Sequence, residues 1–406
     1  MKIGKLILTN LVIFILIAFV IPMTFALGKQ PKNPPTDSLL SDPFLQAPTE
    51  NTVNIVWFTE FAGTEHYIKY GQKLEQQVIA KTTKLSRVRE DQQSYINTPP
   101  NQSTPRNIWR HEAIATGLIP NQRVPYQVVS IEGKQKISSK VFTLASQPSA
   151  NSALKILLTS DHQLMPMTTA NLSQVVNTID QIDAVFCAGD LVNIPDRASE
   201  WFDDLRGGAF FPSLQGRGNY ELEHDGIKTI YHGGEIIQHA PLFTALGNHE
   251  VMGRLDANNT LKQEFANSKP RQVAKEFYQQ LAFEINPTND PQLEQDWIKN
   301  NSFNTDTYEE IFSLPQSSTG GKRYYATTFG DIHLISLYAT NIWRSPGMEA
   351  ETQGRYKESV KDLNNPNMWA GDGKESVYQD LSKLRIYKPI WKVILERLKS
   401  ISSKNK

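Results

Sequence analysis

Three apolar runs, at residues 154–158, 184–188 and 241–246, each stop at a short polar block. The blocks are Ser160-Asp161-His162-Gln163, Gly189-Asp190 and Gly247-Asn248-His249-Glu250. Short continuous apolar runs of this kind read as strands buried on both faces, the mark of a parallel sheet. Between the first two lies a stretch, residues 169–179, with Leu172, Val175, Val176 and Ile179 at helical spacing. The result is a strand–helix–strand unit, with each polar block where a buried strand ends. Ligands of open α/β sheets bind at that edge. Asp, Asn, His and Gln supply oxygen and nitrogen donors without thiolate, which suits a pair of hard or borderline metal ions. Two such ions about 3.5–4 Å apart are the usual device for attacking a phosphate ester with water.

Residues 42–146 follow a different period. Val53, Ile55 and Trp57 alternate with Asn54, Val56 and Phe58, and further short strand patterns appear around Tyr67, Val128 and Phe142. Turn-rich gaps separate them, which predicts an all-β sandwich. The polar, proline-bearing stretch 97–106 reads as a surface loop. The boundary falls near Gln147-Pro148-Ser149-Ala150, and the α/β domain runs from 152 to 369. Its stretch 193–240 lacks periodicity and reads as loops and short helices, and residues 324–329 and 333–337 read as a strand pair.

The ends are not read as fold. Lys2 and Lys5, an apolar stretch from Leu6, and Thr24-Phe25-Ala26 have the order of a secretory signal over residues 1–26. The apolar stretch 6–27 is also long enough to anchor the chain in a bilayer. Either reading predicts a secreted, periplasmic or membrane-anchored protein. Residues 27–41 form a proline-bearing linker, and 370–406 a lysine-rich, atypical tail. The single cysteine, Cys187, sits inside a strand run and reads as a small buried apolar side chain. Formal net charge is zero over 406 residues, so no global field argues for a nucleic-acid partner.

The order of the three blocks resembles that of calcineurin-like metallophosphoesterases, Gly247-Asn248-His249-Glu250 being the most specific. With the β-region in front, whose segment from Gly117 to Tyr126 resembles a fibronectin type III tyrosine corner, the chain is similar to purple acid phosphatases. The resemblance covers about residues 40–345. It implies a fibronectin III-like sandwich followed by an incomplete α/β metallophosphoesterase domain of the layered α-β-β-α type. It implies two divalent ions (iron, manganese or zinc) and a phosphorylated small-molecule substrate, with hydrolysis of phosphate monoesters. Carried over by position, Asp161 binds one metal, Asp190 bridges both, Asn248 binds the second and Gln163 assists through its oxygen. His249 contacts the phosphate or protonates the leaving oxygen, while Glu250, His162 and Asn193 support these groups. Singly, each residue has a plain structural use: Asp161 as a helix cap, Asp190 in a turn, Asn248 in a left-handed turn.

The chain departs from the family pattern in three places. Gln163 stands where many members have a histidine, and Asn193 where the purple enzymes have a metal-binding tyrosine. The family also has a later Gly-His-x-His, whereas the last histidine here is His333 and no Gly-His pair occurs. The resemblance therefore implies a shortened catalytic domain with poor activity. Two other readings stand beside it. One is a secreted, non-catalytic remnant or binding module; the other is a nucleotidase or phosphodiesterase of the same superfamily. His224, His232 and His239 are further candidates to line the pocket, and His66, His111 and His333 match no motif.

Overall fold

The computed structural model describes residues 39–338, except 268, 270 and 318–320. The expected signal or anchor, most of the linker, residues 339–369 and the tail lie outside the described residues. No described helix is long and apolar enough to cross a membrane.

The N-terminal half is built from β1 (Phe44–Gln46), β2 (Val53–Thr59), β3 (Glu65–Tyr70), β4 (Gln76–Ile79), β5 (Lys81–Lys84), β6 (Arg89–Glu90), β7 (Thr104–Pro105), β8 (Trp109–Ala115), β9 (Val124–Glu132), β10 (Gln135–Ser138) and β11 (Phe142–Leu144). One sheet runs β1-β2-β8-β5 and the other β10-β9-β3-β4, with β11 also pairing β9. The small β6–β7 pair lies apart. Successive strand residues face opposite sides. Val53, Ile55 and Trp57 accordingly meet Ile68, Tyr126 and Val128 in the core between the sheets. Val56 and Phe58, on the other face of β2, belong with Phe44 to the core of the second half. β2 is thus buried on both sides, which its unbroken run Ile55-Val56-Trp57-Phe58 allows.

The sandwich of residues 42–146 therefore shares one of its faces with the second half. Phe44, Val56, Phe58, Leu85, Val88 and Ile108 are all 3% exposed or less, and all pack in the shared core. Expressed alone, the segment should expose this patch and aggregate, because contiguous apolar surfaces of this kind drive association. Light scattering checks this, a soluble monomer that unfolds cooperatively being the contrary result. The stretch 97–106 also departs from a plain loop. Thr104 pairs with Glu90 in the β6–β7 ladder. Arg106 reaches Glu60 at 2.7 Å, Glu90 at 3.1 Å and Asp203 of the second half. The Tyr126 hydroxyl does not close a corner within the sandwich; it donates to the Gln238 carbonyl at 2.7 Å.

The second half continues with β12 (Ile156–Thr159), α1 (Thr168–Thr178), β13 (Ala184–Cys187), α2 (Ala198–Phe202), α3 (Phe210–Leu214), β14 (Tyr220–His224), β15 (Ile227–Tyr231), β16 (Leu242–Thr244), a 3-10 turn (Asn248–Glu250), α4 (Leu261–Phe265), α5 (Arg271–Ile285), α6 (Pro291–Asn300), α7 (Asp306–Ile311), β17 (Tyr325–Phe329) and β18 (Ile332–Ser336). β12, β13 and β16 form a three-stranded parallel sheet in that order. The β17–β18 hairpin packs against β16 through Phe329 on Phe243 and the Tyr325 hydroxyl on the Thr244 carbonyl. Trp201, Phe202, Phe210, Phe211 and Phe312 stack into one aromatic cluster that Phe44 and Phe58 complete.

Within 193–240 the structure adds the β14–β15 hairpin to the expected loops and short helices, turning at Asp225-Gly226 with φ of +51° and +76°. Both central residues of such a tight turn need positive φ, which the Asp-Gly pair supplies. Polar contacts also bind the two halves. Arg89 is held by Asp196 and Glu264, Arg87 by Asp196, and Arg197 by Asp91, all buried.

Candidate functional site

Parallel pairing puts the C-terminal ends of β12, β13 and β16 at one edge, so the three polar blocks become neighbours. The main chains of the first two bond directly, and the third joins the second through side-chain carboxylates. The Asp161 amide donates to the Gly189 carbonyl and the Gln163 amide to the Leu191 carbonyl, both at 3.1 Å. Asp161, Gln163 and Asp190 have φ of +53°, +37° and +56°. Left-handed backbone is uncommon outside glycine and is tolerated best by Asp and Asn. Three such residues on touching loops mark a surface whose shape is held by its surroundings. At Gly247 a Cβ would meet the Asp190 Oδ1 at 2.2 Å, so only glycine lets the third block approach the second.

Glu250 ties two blocks together. Its buried carboxylate accepts the amides of Gly247 at 2.8 Å, Asp190 at 3.0 Å and Leu191 at 2.7 Å. Burial, with the nearby Asp190 charge, pushes this carboxyl up to about 8, against the pull of the three amides. Glu200 does the same for the far end of the second block, accepting the amides of Asn193 at 2.6 Å and Ile194 at 2.9 Å. It is anchored by Arg197 at 2.9 Å. The loop from Asp190 to Ile194 therefore hangs on two buried carboxylates. Sequence reasoning placed Glu250 through its block. It missed Glu200, which lies in no motif and whose role depends on the turn back into α2.

Asn193 links the remaining parts. Its side-chain amide donates to the Gln163 carbonyl at 2.7 Å, and its carbonyl accepts from the His249 Nδ1 at 2.8 Å. That bond puts the proton of neutral His249 on Nδ1 and leaves Nε2 as the basic nitrogen. The His249 main-chain amide donates to the Asp190 Oδ1 at 3.1 Å. Asp161 is exposed, and Asp190, Asn248 and His249 are half-buried, so the groups border an open surface.

His162 turns inward. It is 3% exposed, bonds the Thr159 hydroxyl at 3.0 Å and packs on Phe210. Burial lowers its pKa to about 4. The other candidate histidines stand elsewhere. His224 is at the hairpin end beside Asp225, His232 bonds the Gly218 carbonyl, and His239 joins Thr143 to Glu235. Among the described residues no group of three or more His, Cys, Asp or Glu is placed to hold a metal. The expected donors Asp161, Asp190, Asn248 and Gln163 bring two carboxylates and two amides. That set is short of what two divalent ions draw from protein.

No family model and no curated protein sequence matches the chain. Among solved structures it is similar to a purple acid phosphatase isolated from yellow lupin (Lupinus luteus) seeds. The TM-score is 0.44 at 16% identity, over 72% of this chain and 43% of the lupin chain. The chain thus spans less than half of that protein's length.

Proposed function

We propose that this surface is a metallophosphoesterase-type site that binds a phosphate ester and offers donors for one divalent cation instead of two. The observation that carries the reading is the bonding of the three blocks to one another at the strand ends, with Asp190, Asn248 and His249 bordering the same surface. His249, oriented by the bond from its Nδ1 to the Asn193 carbonyl, offers an imidazole suited to exchanging a proton with an ester oxygen. Metal assistance would polarise the phosphate. With so few donors, affinity and turnover should both be low. The donor count also favours the second reading, a non-catalytic secreted binding module.

The test uses the full chain equilibrated with manganese or zinc, its bound metal measured after buffer exchange. A phosphate monoester and a diester are then assayed. The proposal predicts at most about one ion per chain, weakened by Asp190→Ala, and hydrolysis far below the 1–10³ s⁻¹ of ordinary enzymes. Phosphate-ester binding without any turnover supports the binding module. Two tightly held ions with ordinary turnover, abolished by Asp190→Ala, would contradict the one-ion reading.

A further inference from the structure

Away from this surface, the sandwich encloses two histidines that the proposed chemistry does not use. His66 on β3 and His111 on β8 stack across the space between the sheets, ring centroids 3.6 Å apart and planes 17° from parallel. They are 4% and 0% exposed.

Their partners fix both tautomers. Trp57 Nε1–H donates to the Ser130 hydroxyl at 2.9 Å. The Ser130 hydroxyl, 2.8 Å away, donates to the His66 Nδ1, and the His66 Nε2–H donates to the Ala62 carbonyl at 2.8 Å. The Thr59 hydroxyl donates to the Phe61 carbonyl at 2.6 Å, so it accepts from the His111 Nε2–H at 2.8 Å. The Thr82 hydroxyl at 2.9 Å then donates to the His111 Nδ1. Every donor and acceptor of the two neutral rings is used. A proton added at either Nδ1 would meet a hydroxyl already pointing its own hydrogen there, and would set a buried charge against the other ring. At Gly63, φ +65°, a Cβ would meet the His66 Nε2 at 2.3 Å, so the turn over the pair is fitted to it.

The pair also reaches the seam. Thr59 and Phe61, held by the His111 bond, flank Glu60. Glu60 holds Arg106, which grips Asp203 and Glu90.

We propose that the stacked His66–His111 pair is an acid-sensitive latch. While both rings are neutral it holds the turn 59–63 and, through Glu60 and Arg106, the grip of the sandwich on the α/β half; a proton on either ring releases both. Burial lowers the pKa of His66, opposed by its bond to Ala62. Burial, then His66 and Arg110, lowers that of His111 to about 2. Among the described residues Arg110 is the charged side chain acting on His111, and it is paired with Glu112 on the same strand. With folded values below the ordinary 6.5, the stabilisation is present above pH 6.5 and is lost as pH falls towards the folded values. Each ring that the unfolded chain protonates and the folded chain does not lowers the folded-to-unfolded ratio about tenfold per pH unit.

The experiment is urea unfolding of the full chain from pH 7.5 to 5, for wild type, His66→Gln, His111→Gln and the double variant. The double variant should lose about two protons' worth of acid dependence relative to wild type, and each single variant about one. Equal slopes in all four would overturn the latch. If the variants do not fold, histidine NMR of the wild type decides. The ring signals of His66 and His111 should keep neutral shifts to pH 5 in the folded chain, and titration of either near pH 6.5 would refute the idea. Hydrogen exchange of amides around Phe61 and Asp204 should accelerate together on acidification. Acceleration around Phe61 alone would remove the link to the seam.

Discussion

Arg89→Ala should destabilise the chain by about 3–5 kcal/mol, the range for removing one partner of a buried ion pair. Arg89 is buried and bonds Asp196 at 2.9 Å and both oxygens of Glu264, at 2.8 and 2.6 Å. Its loss leaves Glu264 without a cation, held only by the Asp256 amide at 3.2 Å, and leaves Asp196 to Arg87 at 3.2 Å and the Thr307 hydroxyl at 2.6 Å. These acids belong to the second half and Arg89 to the first, so the loss falls on the seam. Against a total stability of roughly 5–15 kcal/mol, such a change brings the fold near its limit. Urea denaturation measures it, with Lys228→Ala as control. Lys228 pairs with Glu221 at 2.7 Å, but the two side chains are 61% and 49% exposed. Exposed pairs contribute about 0–1 kcal/mol. A loss below about 1 kcal/mol for Arg89→Ala would show that the network does not hold the halves together.

Glu250→Ala should cost about 3 kcal/mol, because it takes the acceptor from three amides, Leu191's buried and those of Asp190 and Gly247 partly buried, and a fully buried one costs about 1–3 kcal/mol. It should also free the second and third blocks from each other, since one carboxylate bonds both. Above about pH 8, where wild-type Glu250 is ionised, Glu250→Gln keeps one acceptor oxygen but turns an NH₂ towards an N–H, so it should fall between wild type and alanine. Denaturation gives the energies, and exchange of the Asp190 and Leu191 amides reports the loop. A stable Glu250→Ala variant with both amides still protected would contradict the assigned role.

Features carried by local pattern were legible in the sequence. The parallel strands came within a few residues of their observed ends, because apolar runs stop where polar blocks begin; β12, however, is not buried on both faces as expected, Leu158 being 73% exposed. The α1 helix and the β17–β18 hairpin followed from their periods. The β14–β15 hairpin was missed although Asp225-Gly226 offered a turn signal, because its strands are polar and largely exposed. Features that depend on distant partners were not legible. Val56 and Phe58 read as the outer face of a sandwich strand, and only the fold shows that the second core covers them. His66 and His111 lie 45 residues apart and match no motif, so stacking could not be inferred. At the site, the blocks named Asp161, Asp190, Asn248 and His249. The orientation of His249 depends on Asn193, and that of Asn193 on Glu200, contacts that spacing alone does not encode.

Manganese added to crystals of the full chain, located by its anomalous scattering, tests the site most directly. The account predicts one peak of partial occupancy bordered by Asp161, Asp190 and Asn248, absent in Asp190→Ala. Manganese bound only elsewhere, or two fully occupied ions in that surface, would contradict it.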